Sequence, residues 1–365
     1  MKFKTLDDLG DVSGKKVFVR VDYNVPLREG GIIEDDFRIK KSIQTIEELL
    51  SKGATVILGS HFEGHGGSLS PIANYLRTYF PVQFVSDIYE EFSFTESVVL
   101  LENMRAWEGE KKNDTAFAKH LASLADIYVN EAFSASHREH ASIVGVPQYL
   151  PSFAGRTFVD EVENLSKVFS PAHPFLFILG GAKFSTKLPL LRKFLSKADT
   201  VFVGGALANT FYKAQGLEVG NSLVDDVDVS DMVGADHLLL PQDVVVETEG
   251  GEVEVRDVHD IQEGDVVMDM GPDSVSDLQM VIDDASFVLW NGPLGNYEKG
   301  FAEGTNECAH RIAESGTDCV LGGGDTLTVV SKLHLFEKYS FVSSAGGAML
   351  DFLANETLPG IEALT

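Results

Sequence analysis

Two lysines that follow a glycine pair form the stretch of this sequence best suited to bind a phosphate group. Gly180 and Gly181 lack a Cβ, so an anion can approach their backbone N–H groups closely. Lys183 and Lys187 follow at a four-residue spacing, which puts both ammonium groups on one face of a helix that begins at the turn. The apolar run 175–179 before them predicts a strand buried on both faces. Strand, turn and helix start together predict a phosphate cradle.

Other interpretations of these residues stay open. The spacing of a Walker A loop is absent, and an ordinary βα turn with surface lysines fits the same stretch. A second glycine-rich segment, Gly322-Gly-Gly-Asp-Thr326, adds a carboxylate just past a predicted strand. Asp325 there suits either a helix N-cap or an indirect ligand of Mg²⁺. Beside Lys183 and Lys187 the metal–phosphate role is favoured.

Predicted strands in the second half of the chain end in glycine or in small residues. Such ends let a flat, multiply charged ligand approach the backbone, which suits a nucleotide. The segments are Thr200-Val-Phe-Val-Gly-Gly205, Phe287-Val-Leu-Trp-Asn-Gly292, Cys319-Val-Leu-Gly-Gly-Gly324 and Phe341-Val-Ser-Ser344.

The first half carries a complementary set of cationic side chains at or after strand ends. Arginine binds carboxylate and phosphate groups in a bidentate manner and stays charged. Any one arginine alone is best explained by an ion pair with one of the many carboxylates, whereas several at corresponding strand ends favour a basic pocket. The set is Arg20, Arg38, His61, Arg105 and Arg138.

Other kinds of catalytic site find little support. The pairs His137 with His140 and His61 with His65 lack the H-E-x-x-H spacing and a completing ligand set, so zinc is disfavoured. No Gly-x-Ser-x-Gly motif occurs, and no motif for nucleophilic catalysis surrounds either cysteine. Direct in-line transfer between an anionic acceptor and a nucleotide is the chemistry that the two halves favour.

Composition limits the class of protein. The chain has 365 residues, which suits two domains, and a formal charge of −27 from 29 basic and 56 acidic side chains. That charge argues against binding nucleic acid or an acidic membrane. Only two cysteines occur, and neither a long apolar span nor a signal peptide is visible, so we expect a cytoplasmic protein.

Strands alternate with helical periodicity along the whole chain, which predicts doubly wound α/β domains with parallel sheets. Proline and glycine between 147 and 155 indicate a boundary, followed by a connecting helix over 156–169. A valine-rich acidic insertion at about 244–267 predicts a β excursion on the surface. First-half strands are expected at 16–22, 55–61, 98–105 and 126–133, with helices at 43–50 and 116–124.

Together these segments resemble the phosphoglycerate kinase family from end to end. Their presence in this order makes the resemblance specific. The motifs are Val17-Phe-Val-Arg-Val-Asp-Tyr-Asn-Val-Pro26, Asp36-Phe-Arg-Ile39, Leu101-Glu-Asn-Met-Arg105, Tyr128-Val-Asn-Glu-Ala-Phe133, Gly180-Gly-Ala-Lys-Phe-Ser-Thr-Lys187, Trp290-Asn-Gly-Pro-Leu-Gly295, Gly322-Gly-Gly-Asp-Thr326 and Ser343-Ser-Ala-Gly-Gly-Ala348.

The resemblance implies Mg²⁺-dependent, reversible phosphoryl transfer between ATP and the carboxylate of 3-phosphoglycerate by a monomer. It implies two Rossmann-like domains with a substrate cleft between them: 1–155 for phosphoglycerate, a connecting helix at 156–172, and 173–349 for the nucleotide. Residues from about 350 to 365 are expected to return to the first domain.

The resemblance also implies the site residues. Those for phosphoglycerate are Asp22, Tyr23, Asn24, Arg38, His61, Arg105 and Arg138. Those for the nucleotide are Gly181, Ala182, Lys187, Gly204, Gly205, Asn291, Pro293, Glu298, Gly323, Gly324, Asp325 and Thr326, with Asp325 also serving Mg²⁺. Arg38, Lys183 and the backbone of Gly346 and Gly347 are expected to act on the transferred phosphoryl group.

Some positions depart from the family pattern. His61 is followed by Phe62-Glu-Gly-His65 where the family has Leu-Gly-Arg-Pro, so glycine replaces an arginine at 64 and Glu63 adds a carboxylate. Glu131, Ser134 and Ala345 replace the usual Asp, Gly and Gly. The change around Glu63 motivates an alternative, namely a nucleotide-binding protein of this fold with lost or altered acceptor specificity.

In-line transfer requires the acceptor carboxylate and the γ-phosphate to come within roughly 3–3.5 Å. Because the arginines and the nucleotide ligands fall in different halves, we predict hinge closure only when both substrates are bound. Small-angle scattering of the free protein, each binary complex and the ternary complex checks this. A radius of gyration that does not shrink in the ternary complex contradicts it.

Overall fold

The computed structural model describes residues 3–63, 67–184 and 187–365. The chain forms two compact units, one made of Met1–Glu163 with Asn355–Thr365 and the other of Asn164–Ala354. The division falls within the helix Arg156–Ser166. None of the helices in the described ranges is both long and apolar enough to span a membrane.

A parallel sheet forms the centre of the first unit, with strand order β5-β6-β4-β1-β7-β8. Its inner strands are apolar and buried on both faces, as expected for strands covered by helices. The order runs outward from β1 to one side and then returns to β7 on the other. The strands are β1 (Lys16–Arg20), β4 (Thr55–Gly59), β5 (Val82–Val85), β6 (Val98–Leu101), β7 (Ile127–Asn130) and β8 (Ser152–Ala154), with a hairpin of β2 (Leu27–Arg28) and β3 (Ile32–Ile33).

The second unit has its own parallel sheet, with strand order β11-β10-β9-β15-β16-β17. Its order reverses between β9 and β15, and in doubly wound sheets ligands bind at the carboxyl ends of strands beside such a reversal. The strands are β9 (Phe175–Leu179), β10 (Thr200–Val203), β11 (Leu238–Leu239), β15 (Phe287–Asn291), β16 (Asp318–Gly322) and β17 (Phe341–Val342).

The insertion of the second unit forms an antiparallel sheet of order β13-β12-β14. Its inner face packs on helix Ala206–Ala214 through Val244, Val246 and Tyr212. Val253 and Val255 on β13 are exposed, as the predicted surface position requires. The strands are β12 (Asp243–Glu247), β13 (Val253–Asp257) and β14 (Val266–Met270).

Helices cover the sheets, and their boundaries follow local signals such as Asp114, which caps α4 by accepting from the Phe117 N–H. The helices are α1 (Phe37–Ser51), α2 (Ser70–Leu76), α3 (Glu108–Lys111), α4 (Thr115–Ser123), α5 (Arg156–Ser166), α6 (Leu188–Leu195), α7 (Ala206–Ala214), α8 (Pro272–Asp284), α9 (Glu303–Ser315), α10 (Gly324–Lys332), α11 (Gly347–Asn355) and α12 (Pro359–Glu362).

The elements differ from the sequence predictions mainly at their ends. The predicted first-half strands stop two to four residues early because polar or glycine residues after them leave the ladder; β1, for example, ends at Arg20. Strands β5, β8 and β11 went unpredicted, since they are short and only partly buried. The helix after Gly181 begins at Leu188, so the prediction that Lys183 and Lys187 share a helix face is wrong.

Candidate functional site

A carboxylate at the end of β1 organises the polar groups of the first unit. Asp22 Oδ2 lies 3.1 Å from Arg38 Nη1, and its Oδ1 accepts from the Asn24 N–H at 3.0 Å. Ser134 also donates a hydrogen bond to Asp22. Burial alone would raise the pKa of Asp22, but Arg38 and these hydrogen bonds hold it at about 2. Asp22 is therefore a permanent anion that orients Arg38.

His61, at the end of β4, is neutral at physiological pH. Burial lowers the pKa of its imidazole to about 3, and nearby arginines add to this effect although Asp22 opposes it. Arg20 Nη2 lies 3.4 Å from His61 Nδ1. Since a guanidinium can only donate, Nδ1 must accept and the ring proton sits on Nε2. The neutral ring of His61 therefore carries its N–H donor at Nε2.

Arg20 lies behind the site rather than in it. Its side chain is fully buried, and it donates to Ser142 Oγ at 2.7 Å and to the Val21 carbonyl at 2.5 Å. The buried carboxylate of Glu110 is 3.9 Å away and accepts from Ser142 Oγ at 2.6 Å. Arg20 therefore positions His61, and its predicted place in a ligand-facing basic pocket is corrected to this supporting role.

Arg105 and Arg138 complete the basic cluster of the first unit. Arg105 is held in a short 3₁₀ turn by its N–H, which donates to Asn103 Oδ1 at 3.0 Å. Burial lowers the pKa of its guanidinium, and the charges of Arg20 and Arg138 act in the same direction. Arg138 is exposed. The Glu63 carboxylate pairs with Arg105.

The predicted ligands Tyr23 and Asn24 have different environments. The Tyr23 side chain is fully buried, with its hydroxyl 3.0 Å from Ser42 Oγ, so it supports the strand end instead of facing a ligand. Asn24 is partly buried; its carbonyl accepts from Arg38 Nη1 at 3.1 Å and its Oδ1 from the Glu63 N–H at 2.9 Å. Asn24 thus forms hydrogen bonds both to the Arg38 side chain and to the backbone of Glu63.

In the second unit, backbones meet directly where β9 and β15 end. The N–H of Gly180 donates to the Asn291 carbonyl at 2.9 Å, and that of Gly181 to the Pro293 carbonyl at 2.7 Å. A Cβ on Gly180 would lie 2.2 Å from the Pro293 carbonyl oxygen, and a Cβ on Gly205 would lie 2.9 Å from the Gly181 nitrogen. Neither contact can relax, because the obstructing atoms are backbone. Glycine is therefore required by close packing at these strand ends.

The two lysines lie beside this crossing but in different environments. Lys183 is exposed. Lys187 folds back so that its Nζ donates to the Gly180 carbonyl at 2.5 Å. Burial lowers the pKa of Lys187 to about 8, and Lys183 acts in the same direction while Asp325 opposes both. Ser185 and Thr186, which belong to the same motif, lie outside the described residues.

A cavity of about 320 Å³ opens at the same strand ends. Six predicted nucleotide residues line it: Gly181, Ala182, Gly205, Pro293, Glu298 and Asp325. The predictions missed further lining residues, among them Leu223, Met268 and Tyr297. Met268 directly follows the insertion, Leu223 precedes it by about twenty residues, and Tyr297 lies in the turn Tyr297–Lys299 next to the predicted Glu298. None of the three belongs to a motif of the sequence analysis. Apolar walls with a few polar groups suit a flat heteroaromatic ring.

The remaining predicted nucleotide residues support the cavity from behind or lie at its rim. Thr326 is buried and its Oγ1 accepts from the Gly292 N–H at 2.8 Å, while Asn291 is buried next to Gly323. Gly204 packs on Leu294. Gly324 begins α10 and Gly347 begins α11; a Cβ on Gly324, Gly346 or Gly347 would meet open space. These two helix starts therefore offer accessible backbone N–H groups.

The structure excludes one of the two roles considered for Asp325, that of helix N-cap. The N-cap of α10 is Gly323, and Asp325 is the second residue of the helix, in its first turn, where its Oδ1 accepts from the Tyr297 hydroxyl at 3.1 Å. Asp325 is therefore not the helix cap and presents an exposed carboxylate to the cavity.

The described part of the chain contains no zinc-type ligand set. Within residues 3–63, 67–184 and 187–365, no group of three or more His, Cys, Asp or Glu side chains is placed to hold a metal ion. His65, the second member of one histidine pair, lies outside these ranges, as does Gly64. His140 packs 3.8 Å from the buried Glu110, and burial lowers its pKa to about 4.

These features define a doubly wound α/β protein with a basic cluster on one parallel sheet and a glycine-lined cavity on another. Comparison with known proteins identifies the family. The phosphoglycerate kinase family model matches residues 6–356. The phosphoglycerate kinase of Coprothermobacter proteolyticus is 41% identical, with 100% of this chain and 99% of that protein covered. That of Rubrobacter xylanophilus is 42% identical, with 100% and 98% covered.

Solved structures agree. Phosphoglycerate kinase from Coxiella burnetii superposes with a TM-score of 0.88 at 34% identity, over 100% of this chain and 99% of that chain. This chain belongs to the phosphoglycerate kinase family. The predicted family, the α/β fold class and the assignment to the kinases are therefore confirmed, and the comparisons support this prediction rather than the alternative of a nucleotide-binding protein with altered acceptor specificity.

The lowered pKa of Lys187 predicts a pH dependence of nucleotide binding. With a pKa of about 8, the ammonium is mostly charged at pH 7 and mostly neutral at pH 9. If the charged form binds phosphate, the Kd for ATP should rise up to about ten-fold across this range. Calorimetric titration measures it. Lys187→Arg stays charged and should lose the dependence; parallel profiles for the two proteins would contradict the assignment.

Proposed function

We propose that this protein transfers the γ-phosphoryl group of ATP reversibly to the carboxylate of 3-phosphoglycerate. Family membership along the chain carries the proposal, and the strand-end clusters support it. Residues 1–155, with the returning segment of about 350–365, bind phosphoglycerate, and residues 173–349 bind the nucleotide. Residues 156–172 form the connection. Consistent with the return, the Gly360 N–H donates to the Ser136 carbonyl at 2.9 Å within the first unit.

The acceptor is a multiply charged anion, and the first unit supplies matching groups. Arg38 is about one-third exposed and is oriented by Asp22, so its outer N–H groups bind the reacting end of the acceptor. His61 donates from Nε2, and Arg105 and Arg138 provide charge. Asp22, Asn24 and the backbone of Tyr23 hold these groups in place. A preorganised donor set of this kind stabilises developing charge without reorganising during the reaction.

The nucleotide occupies the cavity of the second unit. Its base lies between the glycine backbones and the apolar wall, and Glu298 accepts from the ribose. Lys183 and Lys187 neutralise the phosphates. The backbone N–H groups at Gly346 and Gly347 bind the transferred phosphoryl, for which the open space around them leaves room. Transfer is direct and in-line, with no covalent enzyme intermediate.

Mg²⁺ fits the residues around Asp325. A carboxylate in the first turn of a helix that faces phosphates is repulsive unless a cation intervenes, and Mg²⁺ is commonly held by one or two carboxylates together with substrate phosphates. Asp325 is exposed at the cavity and meets that requirement. The ion would neutralise part of the phosphate charge.

We further propose that the protein acts as a cytoplasmic monomer.

A coupled assay of ATP consumption with 3-phosphoglycerate tests the function. We expect turnover that depends on 3-phosphoglycerate and Mg²⁺. Binding of ATP without such turnover would instead favour the alternative of a nucleotide-binding protein with altered acceptor specificity.

Arg38→Ala and Lys183→Ala should each lower kcat by on the order of 10²-fold or more, because both groups neutralise charge that grows on the transferring phosphoryl. Steady-state kinetics measure this, and the Kd for ATP should change less. Arg28→Ala, which removes a surface arginine paired with Glu34 at 3.1 Å, and Lys197→Ala serve as matched controls. Near-normal turnover in either test variant would remove that residue from the mechanism.

Asp325→Ala should raise the Mg²⁺ concentration needed for half-maximal binding of ATP and should weaken the binding of Mg·ATP to the protein. The affinity for 3-phosphoglycerate should stay nearly unchanged. Separate calorimetric titrations of the two ligands measure this. Asp351→Ala, an exposed acidic residue on α11, is the control for loss of one negative charge. Equal losses for both ligands would indicate a structural role for Asp325.

A further inference from the structure

An acidic side chain occupies the basic cluster of the first unit. Glu63 pairs with Arg105, and the two partners differ sharply in exposure: 8% for the Arg105 side chain and 62% for that of Glu63. The arginine is thus nearly buried, whereas the carboxylate covers it from the solvent side. A group in this position can leave without disrupting packing beneath it.

Arg105 needs an anion at this position. It shares its surroundings with Arg20 and Arg138, and burial together with these charges lowers its pKa, whereas Glu63 raises it. Its Nε is buried without a hydrogen-bond partner among the described residues. In the free protein, Glu63 supplies the neutralising charge that a bound anion would otherwise supply.

The position of Glu63 is set by the site itself. The Glu63 N–H donates to Asn24 Oδ1 at 2.9 Å. The preceding Phe62 is held on both sides by Asn103, which accepts from its N–H at 3.0 Å and donates to its carbonyl at 2.7 Å. Asn103 Oδ1 also accepts from the Arg105 N–H at 3.0 Å. One side chain therefore anchors the backbone of Arg105 and of the residue that precedes Glu63.

We infer that Glu63 is an intramolecular competitor of the acceptor. It occupies Arg105 until the phosphate group of the acceptor displaces it, and so it sets acceptor affinity and selects for a dianionic phosphate. This inference rests on the proposed function. The chemical reason is charge: the phosphate of 3-phosphoglycerate carries nearly two negative charges at neutral pH, whereas a carboxylate such as that of Glu63 or glycerate carries one. Only the phosphate outcompetes Glu63 on electrostatic grounds.

The alternative role is structural, in which Glu63 holds Arg105 in its binding conformation. The two roles predict opposite signs. Removing a competitor tightens acceptor binding, whereas removing a support loosens it. Because Glu63 is mostly exposed, its replacement leaves the core intact, and thermal unfolding checks this directly.

The test is calorimetric titration of 3-phosphoglycerate, and separately of glycerate, into the wild type, Glu63→Gln and Glu63→Ala. We expect both neutral variants to bind 3-phosphoglycerate roughly three- to thirty-fold more tightly, the range for losing an exposed to partly buried charged pair. Glycerate, which lacks the phosphate, should show no comparable gain. Glu34→Gln, which removes a carboxylate paired with Arg28, should match the wild type.

Unchanged or weaker binding of 3-phosphoglycerate in Glu63→Gln and Glu63→Ala overturns the inference, as does an equal gain for glycerate. The outcome is separable from that of the coupled assay. Turnover in the wild type with no gain in the variants overturns the inference alone. Absent turnover with tighter binding in the variants overturns the proposed activity and leaves the role of Glu63 supported.

Discussion

The direct contact of backbones at the ends of β9 and β15 is the constraint on which the second unit depends. These strands are neighbours at the point where the strand order reverses, so the segments leaving them must cross at close range. Hydrogen bonds from Gly180 and Gly181 to the carbonyls of Asn291 and Pro293 close the crossing and leave no volume for a side chain. The floor of the cavity is therefore backbone, and Lys187 lies against it with a lowered pKa.

In the first unit the main constraint is electrostatic, because the fold brings several positively charged side chains close together. Three of the four arginines have an acidic partner that offsets the repulsion: Arg20 with Glu110, Arg38 with Asp22 and Arg105 with Glu63. Breaking a fully buried pair such as Arg20–Glu110 costs about 3–5 kcal/mol, because the remaining charge stays desolvated. The exposure of the acidic partner increases from Glu110 through Asp22 to Glu63. The first pair is therefore a permanent structural one, whereas a ligand can displace the carboxylate of the last.

This arrangement shows why the sequence alone left two interpretations of the arginines. Ion pairing and a basic pocket are compatible here, because an acidic partner both stabilises and orients each guanidinium. With a formal charge of −27, the chain repels anions at long range, so attraction must come from this local cluster. The partners themselves could not be assigned from spacing, since Glu110 is 90 residues from Arg20 in the chain and β1 and α3 meet only in the fold.

The sequence by itself determined the family, the α/β alternation and most residues at the strand ends, because glycine, lysine and arginine after apolar runs are local signals. Tertiary structure decided what depends on distant segments. It placed Arg20 and Tyr23 behind the site, showed that α6 begins only at Leu188, and made Gly323 rather than Asp325 the cap of α10. It also placed Met268 and Leu223 in the cavity wall. Burial and neighbouring charge arise only when the chain packs, and they set which side chains face a ligand.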